Sequence, residues 1–147
     1  MPSHIPEAEK AVMFDEICDR LAGGESLRAI CSNPHMPDIV TVYRWIRADE
    51  ELRQRYARAR EDQADTLFDQ IQQIADDGLN DTYVDEEGNV RVDHDVVARS
   101  KLRIEARKWL AGKLRPKVYG DKLDVKHGGA VSVVVATGIP QPGEDLV

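Results

Sequence analysis

Residues 49–77 run for 29 positions without a glycine or proline, and their apolar side chains recur at spacings of three and four. Leu52, Tyr56, Ala59, Gln63, Leu67, Ile71 and Ile74 form one stripe, broken only by Gln63. Such a pattern predicts a single long helix, stopped by Gly78, and its length suggests a stalk or coiled packing rather than a globular helix. A second helical pattern covers Val96 to Leu114, with Ala98, Leu102, Ala106, Trp109 and Leu110 on one apolar side and Pro116 marking its end. The connection is short, so the second helix should fold back antiparallel on the first. Between them, Tyr83-Val84 and Val90-Val92 flank the acidic turn Asp85-Glu86-Glu87-Gly88-Asn89. A small β-hairpin or a flexible acidic loop fits residues 82–93.

Ahead of the long helix lie three shorter helical segments. Pro6 to Leu21 carries Ala11, Phe14, Ile17, Cys18 and Leu21 on one stripe, and Gly23-Gly24 ends it. Leu27, Ile30 and Cys31 mark a short second helix. Pro34 and Pro37 forbid its continuation, and Asp38 can cap a third helix over Ile39 to Arg47. That third helix has two faces: Val42, Trp45 and Ile46 point to a core, while Val40, Tyr43, Arg44 and Arg47 fall opposite at i, i+3, i+4, i+7. Three helices with a tight break before the third fit a helix-turn-helix, whose recognition helix needs that division. Candidate DNA contacts are Val40, Tyr43, Arg44 and Arg47; Lys10, Arg20 and Arg28 are candidate backbone contacts, for which plain surface charge is the favoured reading. Each arginine could instead be a solvated surface residue, and Tyr43 a partly buried one.

Beyond Pro116 the character changes. Val131, Val133 and Val135 alternate, and Gly128-Gly129 separates them from Leu123 to Lys126. This is the strongest hairpin signal in the chain. A lone valine-rich hairpin is marginal and leaves open edges, so pairing with the same hairpin of neighbouring copies is the expected remedy, closing into a barrel. Residues 137–147 contain Pro and Gly and are acidic, so disorder is expected there. The expected fold is mainly α. A helix-turn-helix domain spans 1–50, a helical oligomerisation core 51–120, terminal strands 121–136 and a tail 137–147.

Charge is unevenly placed. Residues 1–94 hold 10 basic and 21 acidic side chains, whereas 95–127 hold 10 basic and 4 acidic ones. Separated blocks suit head-to-tail pairing of copies. The positive block, Arg99, Lys101, Arg103, Arg107, Lys108, Lys113, Arg115 and Lys117, suits acidic neighbours better than a DNA channel. Residues 1–50 carry 5 basic and 9 acidic groups, which predicts weak DNA binding per copy, compensated by many copies. Cys18 and Cys31 are not in a CxxC pair and read as buried free thiols in a reducing cytoplasm. His4, His35, His94 and His127 lack ligand spacing, so no metal is expected. No phosphate-binding GxxxxGK[ST] loop and no nucleophile–base arrangement is present, which predicts a non-enzymatic protein without cofactor. The start lacks a signal-peptide pattern, and no apolar run is long enough to span a membrane.

The segments GGESLRAICSNPHMPDIVTVYRWI at 23–46, the long helix from Glu51, and LRIEARKWLAGKLRPKVYGDK at 102–122 resemble the small terminase subunits of short-tailed phages. The resemblance covers roughly Ala8 to Val135. It implies a ring with helix-turn-helix domains outside, a helical hairpin body and a β-barrel crown. The ring is expected to hold about eight to ten subunits, nine being the preferred count. It implies binding of double-stranded concatemeric viral DNA at the packaging start and delivery to the large ATPase-nuclease subunit, in the host cytoplasm. The insertion Tyr83 to Asp93 departs from the shortest relatives. The competing classes are a helix-turn-helix transcriptional regulator or transposase-type protein, usually dimeric, and a scaffold whose helix-turn-helix contacts protein.

Overall fold

The computed structural model describes residues 4–122 and Gly128. Helix α1 (Glu7–Ala22) begins after Pro6 with Glu7 and Glu9 in its first turn, where carboxylates suit the helix dipole. It ends at Gly23, and Gly24 turns the chain with φ +100°. Helix α2 (Leu27–Cys31) is capped by Ser26, whose Oγ accepts from Ala29 N at 3.2 Å. Helix α3 (Ile39–Ala48) starts as the sequence suggests: the Asp38 carboxylate accepts from Thr41 N at 2.8 Å.

The three helices share one core. Phe14, Ile17 and Leu21 of α1, Leu27 and Ile30 of α2, Met36, and Val42 and Ile46 of α3 are buried together. Full burial of such side chains stabilises by about 1.5–3 kcal/mol each, which is what holds so short a helix as α2 in place. The cluster does not stop at residue 50. It continues onto α4 (Glu50–Asp76) through buried Ala59 and the partly buried Leu52 and Tyr56. Asp49 makes the corner: it closes α3, and its carboxylate accepts from Glu51 N (2.9 Å) and Leu52 N (3.3 Å) to open α4.

After α4, strands β1 (Thr82–Val84) and β2 (Val90–Val92) form a two-stranded antiparallel hairpin with Val84 opposite Val90. Asp85 organises its tip, accepting from Glu87 N and Asn89 N on one oxygen and from Arg91 Nε on the other. Of the two sequence readings for 82–93, the hairpin is the one found, and every strand residue in it is exposed.

Helix α5 (His94–Leu114), capped by Asp93, runs back antiparallel along α4. Its apolar side is not the side that meets α4. Ala111 is buried, and Val96, Ser100, Ile104 and Arg107 are half-buried at helical spacing, whereas Ala98, Leu102, Ala106, Trp109 and Leu110 are exposed. Polar bonds help to make the α4–α5 contact: Arg107 Nε donates to Gln70 Oε1 at 2.9 Å. Pro116 then opens a short turn of helix not anticipated from sequence, α6 (Pro116–Tyr119). Here the Asp65 carboxylate accepts from Arg115 (2.7 and 2.8 Å) and from the Tyr119 hydroxyl (2.7 Å), while Tyr119 stacks on Phe68 at 4.9 Å. The strands expected at 121–136 lie outside the described residues except for Asp121, Lys122 and Gly128, none of which is in a strand, and the tail at 137–147 lies wholly outside them.

Candidate nucleic-acid interface

Helix α3 is held by its inner face and offers its outer one. Val42 and Ile46 are buried and Trp45 packs partly against the core, which leaves Val40, Tyr43, Arg44 and Arg47 exposed on the opposite side. The Asp38 cap fixes where the helix begins. Hydrogen bonds from Thr41 hold its carboxyl below the usual carboxylate range, with Arg44 adding attraction. The cap is therefore charged at neutral pH, and the outer face is presented in a fixed register.

The basic side chains of residues 4–50 divide into two sets. Arg20 bonds Glu16 and Glu25. Lys10 lies 3.6 Å from Glu7 and 5.7 Å from the Trp45 ring centroid, with only 21% of its side chain exposed. Arg28, Arg44 and Arg47 are exposed and, among the described residues, have no carboxylate partner. Two of these three lie on α3 and one in α2. A guanidinium not neutralised by its own chain keeps its full attraction for an external anion. Of the seven residues singled out from sequence, five are exposed on α2 and α3; Lys10 is largely turned onto Trp45 and Glu7, and Arg20 is held by Glu16 and Glu25.

A second exposed surface lies on α5. Leu102 (66% exposed), Trp109 (63%) and Leu110 line the outside of α5, with Phe68 and Val118 also exposed nearby in sequence elements packed against it. Beside Trp109, a shallow groove of about 710 Å³ is lined by Lys108, Gly112, Pro116 and Tyr119. The sequence carried the signal, since Trp109 and Leu110 stood out as apolar; which side of α5 meets α4 was the unknown. Of the positive block, Arg115 is paired with Asp65, and burial pushes Arg107 down from its ordinary value. Cys18 and Cys31 are free, half-buried thiols pushed up by burial, so neither is an activated nucleophile. Among the described residues no group of His, Cys, Asp or Glu could hold a metal ion, and no helix is long and apolar enough to cross a membrane.

A family model described as "Bacteriophage Sf6, terminase small subunit-like" matches residues 9–126. The chain belongs to this family. Crystal structures of three single-substitution variants of the terminase small subunit gp1 of the bacterial virus Sf6 are each 34% identical to it. Each match covers 96% of this chain and 97% of the other, with TM-scores of 0.65, 0.63 and 0.63. No curated protein sequence matches. This terminase small subunit is thus mainly helical, with one small antiparallel sheet among the described residues, and its role is in viral genome packaging.

Proposed function

We propose that this terminase small subunit binds double-stranded viral DNA through α2 and α3 acting as a helix-turn-helix, and presents that DNA to the large ATPase-nuclease subunit. The supporting observation is the set Arg28, Arg44 and Arg47. These are the basic groups of residues 4–50 that lack a carboxylate partner among the described residues, in a segment otherwise rich in acid. In this reading Arg44 and Arg47 reach base edges or phosphate, Tyr43 and Val40 lie against the groove wall, and Arg28 contacts the backbone. Lys10, already engaged by Trp45 and Glu7, contributes least.

The same reading has copies of the chain assemble through the apolar outside of α5, giving a ring of about eight to ten subunits. Each three-helix unit binds weakly, and the ring raises its effective concentration on a long duplex. The subunit performs no catalysis; the chemistry of packaging belongs to its partner, in the infected host's cytoplasm. Titration of a labelled duplex at several salt concentrations tests the interface. Arg44→Ala with Arg47→Ala should weaken binding and flatten its salt dependence by about two phosphate contacts. Unchanged affinity and slope in the double variant would remove α3 as the interface.

A further inference from the structure

Gln63 is the one polar residue in the apolar stripe of α4. It is also the buried polar side chain among the described residues, at 5% exposed. Its surroundings allow one amide orientation. Oε1 accepts from Arg60, a pure donor, at 2.8 Å, and Nε2 donates to the Glu25 carbonyl at 2.9 Å. Arg60 is itself held by the Tyr56 hydroxyl. One turn on, Thr66 Oγ1 donates to the Ala22 carbonyl at 2.6 Å. Between those two carbonyls sits Gly24, where a β-carbon would meet Gln70 Nε2 at 3.0 Å and the Thr66 methyl at 3.4 Å. Gln63, Thr66 and Gln70 thus lie on one face of α4 and grip the Ala22–Glu25 turn between α1 and α2.

The three-helix unit also meets α4 at the Asp49 corner, roughly 20–25 Å away along the helix, through the shared core at Leu52, Tyr56 and Ala59, and by the Arg55–Asp15 ion pair. Those contacts all lie within the first three turns of α4, whereas Gln63 and Thr66 hold the unit one to two turns further on, where rocking about the corner would move it most. We infer that Gln63 and Thr66 are positioning residues that set the orientation of the DNA-reading unit on the helical hairpin, so that all copies in an assembly present α3 alike. This rests on the proposed DNA reading only for its consequence; the clamp itself is an intramolecular claim.

The test uses the full-length assembled protein and the variants Thr66→Val, Thr66→Ser and Gln63→Leu, with circular dichroism confirming the helices. Spin labels at Ala29→Cys and Ala75→Cys, in a background of Cys18→Ala and Cys31→Ala, report the angle. Labelled chain is diluted with unlabelled chain so that each assembly carries one reporter. Wild type should give one narrow distance distribution, Thr66→Val and Gln63→Leu a broad one, and Thr66→Ser, which keeps the hydroxyl, a narrow one. In parallel, affinity is measured for a duplex long enough to meet several units and for one that meets a single unit. The advantage of the long duplex should fall about tenfold or more in Thr66→Val, while the short duplex binds as in wild type.

A narrow distribution in both Thr66→Val and Gln63→Leu would overturn the inference, as would a broad one in Thr66→Ser. Should Gln63→Leu fail to fold, Thr66→Val alone decides. Should wild type bind neither duplex, the DNA reading fails, and the label distances still decide the clamp.

Discussion

Gly23 and Gly24 are neighbours, yet replacing each with alanine should have effects of opposite sign. Gly23 has φ −75°, a helical value any residue adopts, and an added β-carbon would make ordinary contacts at 3.5 Å with the Arg20 and Asp19 carbonyls. Alanine there restricts the unfolded chain without straining the folded one, a gain of about 0.4–1 kcal/mol. Gly24 has φ +100°, where a side chain brings strain of about 1–3 kcal/mol. The same unfolded-state gain offsets part of it, and the 3.0 Å approach to Gln70 Nε2 adds a little, since a flexible amide can give way. The net for Gly24→Ala is a loss of about 1–2 kcal/mol. For a chain of this size 1 kcal/mol moves Tm by about 2–4 °C. Gly23→Ala should therefore melt about 1–4 °C above wild type and Gly24→Ala about 2–8 °C below it. Thermal melts followed by circular dichroism check this at one fixed protein concentration, because association also shifts Tm. If Gly24→Ala matches or exceeds wild type, the account of that turn as a strained clamp point is wrong.

Phe14→Ala empties a fully buried site in the core shared by α1, α2, α3 and α4, and should cost about 3–5 kcal/mol, read from the urea midpoint. Leu102→Glu with Trp109→Glu changes only exposed positions of α5. It should leave the helical circular dichroism signal intact while lowering the mass measured in solution; an unchanged mass would take the α5 face out of the assembly. The Tyr119 hydroxyl and Arg115 hold the Asp65 carboxyl below the ordinary carboxylate range. A lowered folded value means stability that is present at neutral pH and lost as pH falls from about 4 through that lowered value. Asp65→Asn should flatten this acid limb in melts taken across about pH 2–7, and a limb parallel to wild type would show that the cluster contributes nothing.

Local chemistry made the first half of the chain legible. Asp38 announces α3 and Pro34 and Pro37 break α2 before it, and both signals act within a few residues of where they stand. The outer face of α3 followed from the same register, because one side of a short amphipathic helix must go to the core that α1 and α2 form beside it. Helix α5 shows where such reasoning ends. Its periodicity marks an apolar side, Leu102 to Trp109 and Leu110, but a sequence does not state which surface that side is meant to meet. The contact with α4 is made instead by Ala111, Ile104 and the polar pair Arg107–Gln70, whose spacing looks unremarkable in the sequence. Gln63 was visible as an interruption of a stripe, but its partner, the Glu25 carbonyl, is 38 residues away in the chain, and backbone acceptors leave no mark in a sequence. The Asp65–Arg115–Tyr119 cluster was hidden for the same reason of distance.

The Asp49 corner restricts what insertions and deletions this architecture tolerates. With α3 ending and α4 beginning on the two sides of a single residue, there is no slack in which an added or lost amino acid could be absorbed. One residue inserted just inside α4 would swing everything before it by about 100° around the helix axis and lift it by about 1.5 Å. That would pull Ala22 and Glu25 away from Thr66 and Gln63. Relatives of this chain should therefore vary the amino acids at this junction freely, provided the cap survives, while keeping the number of residues between residue 38 and residue 66 constant.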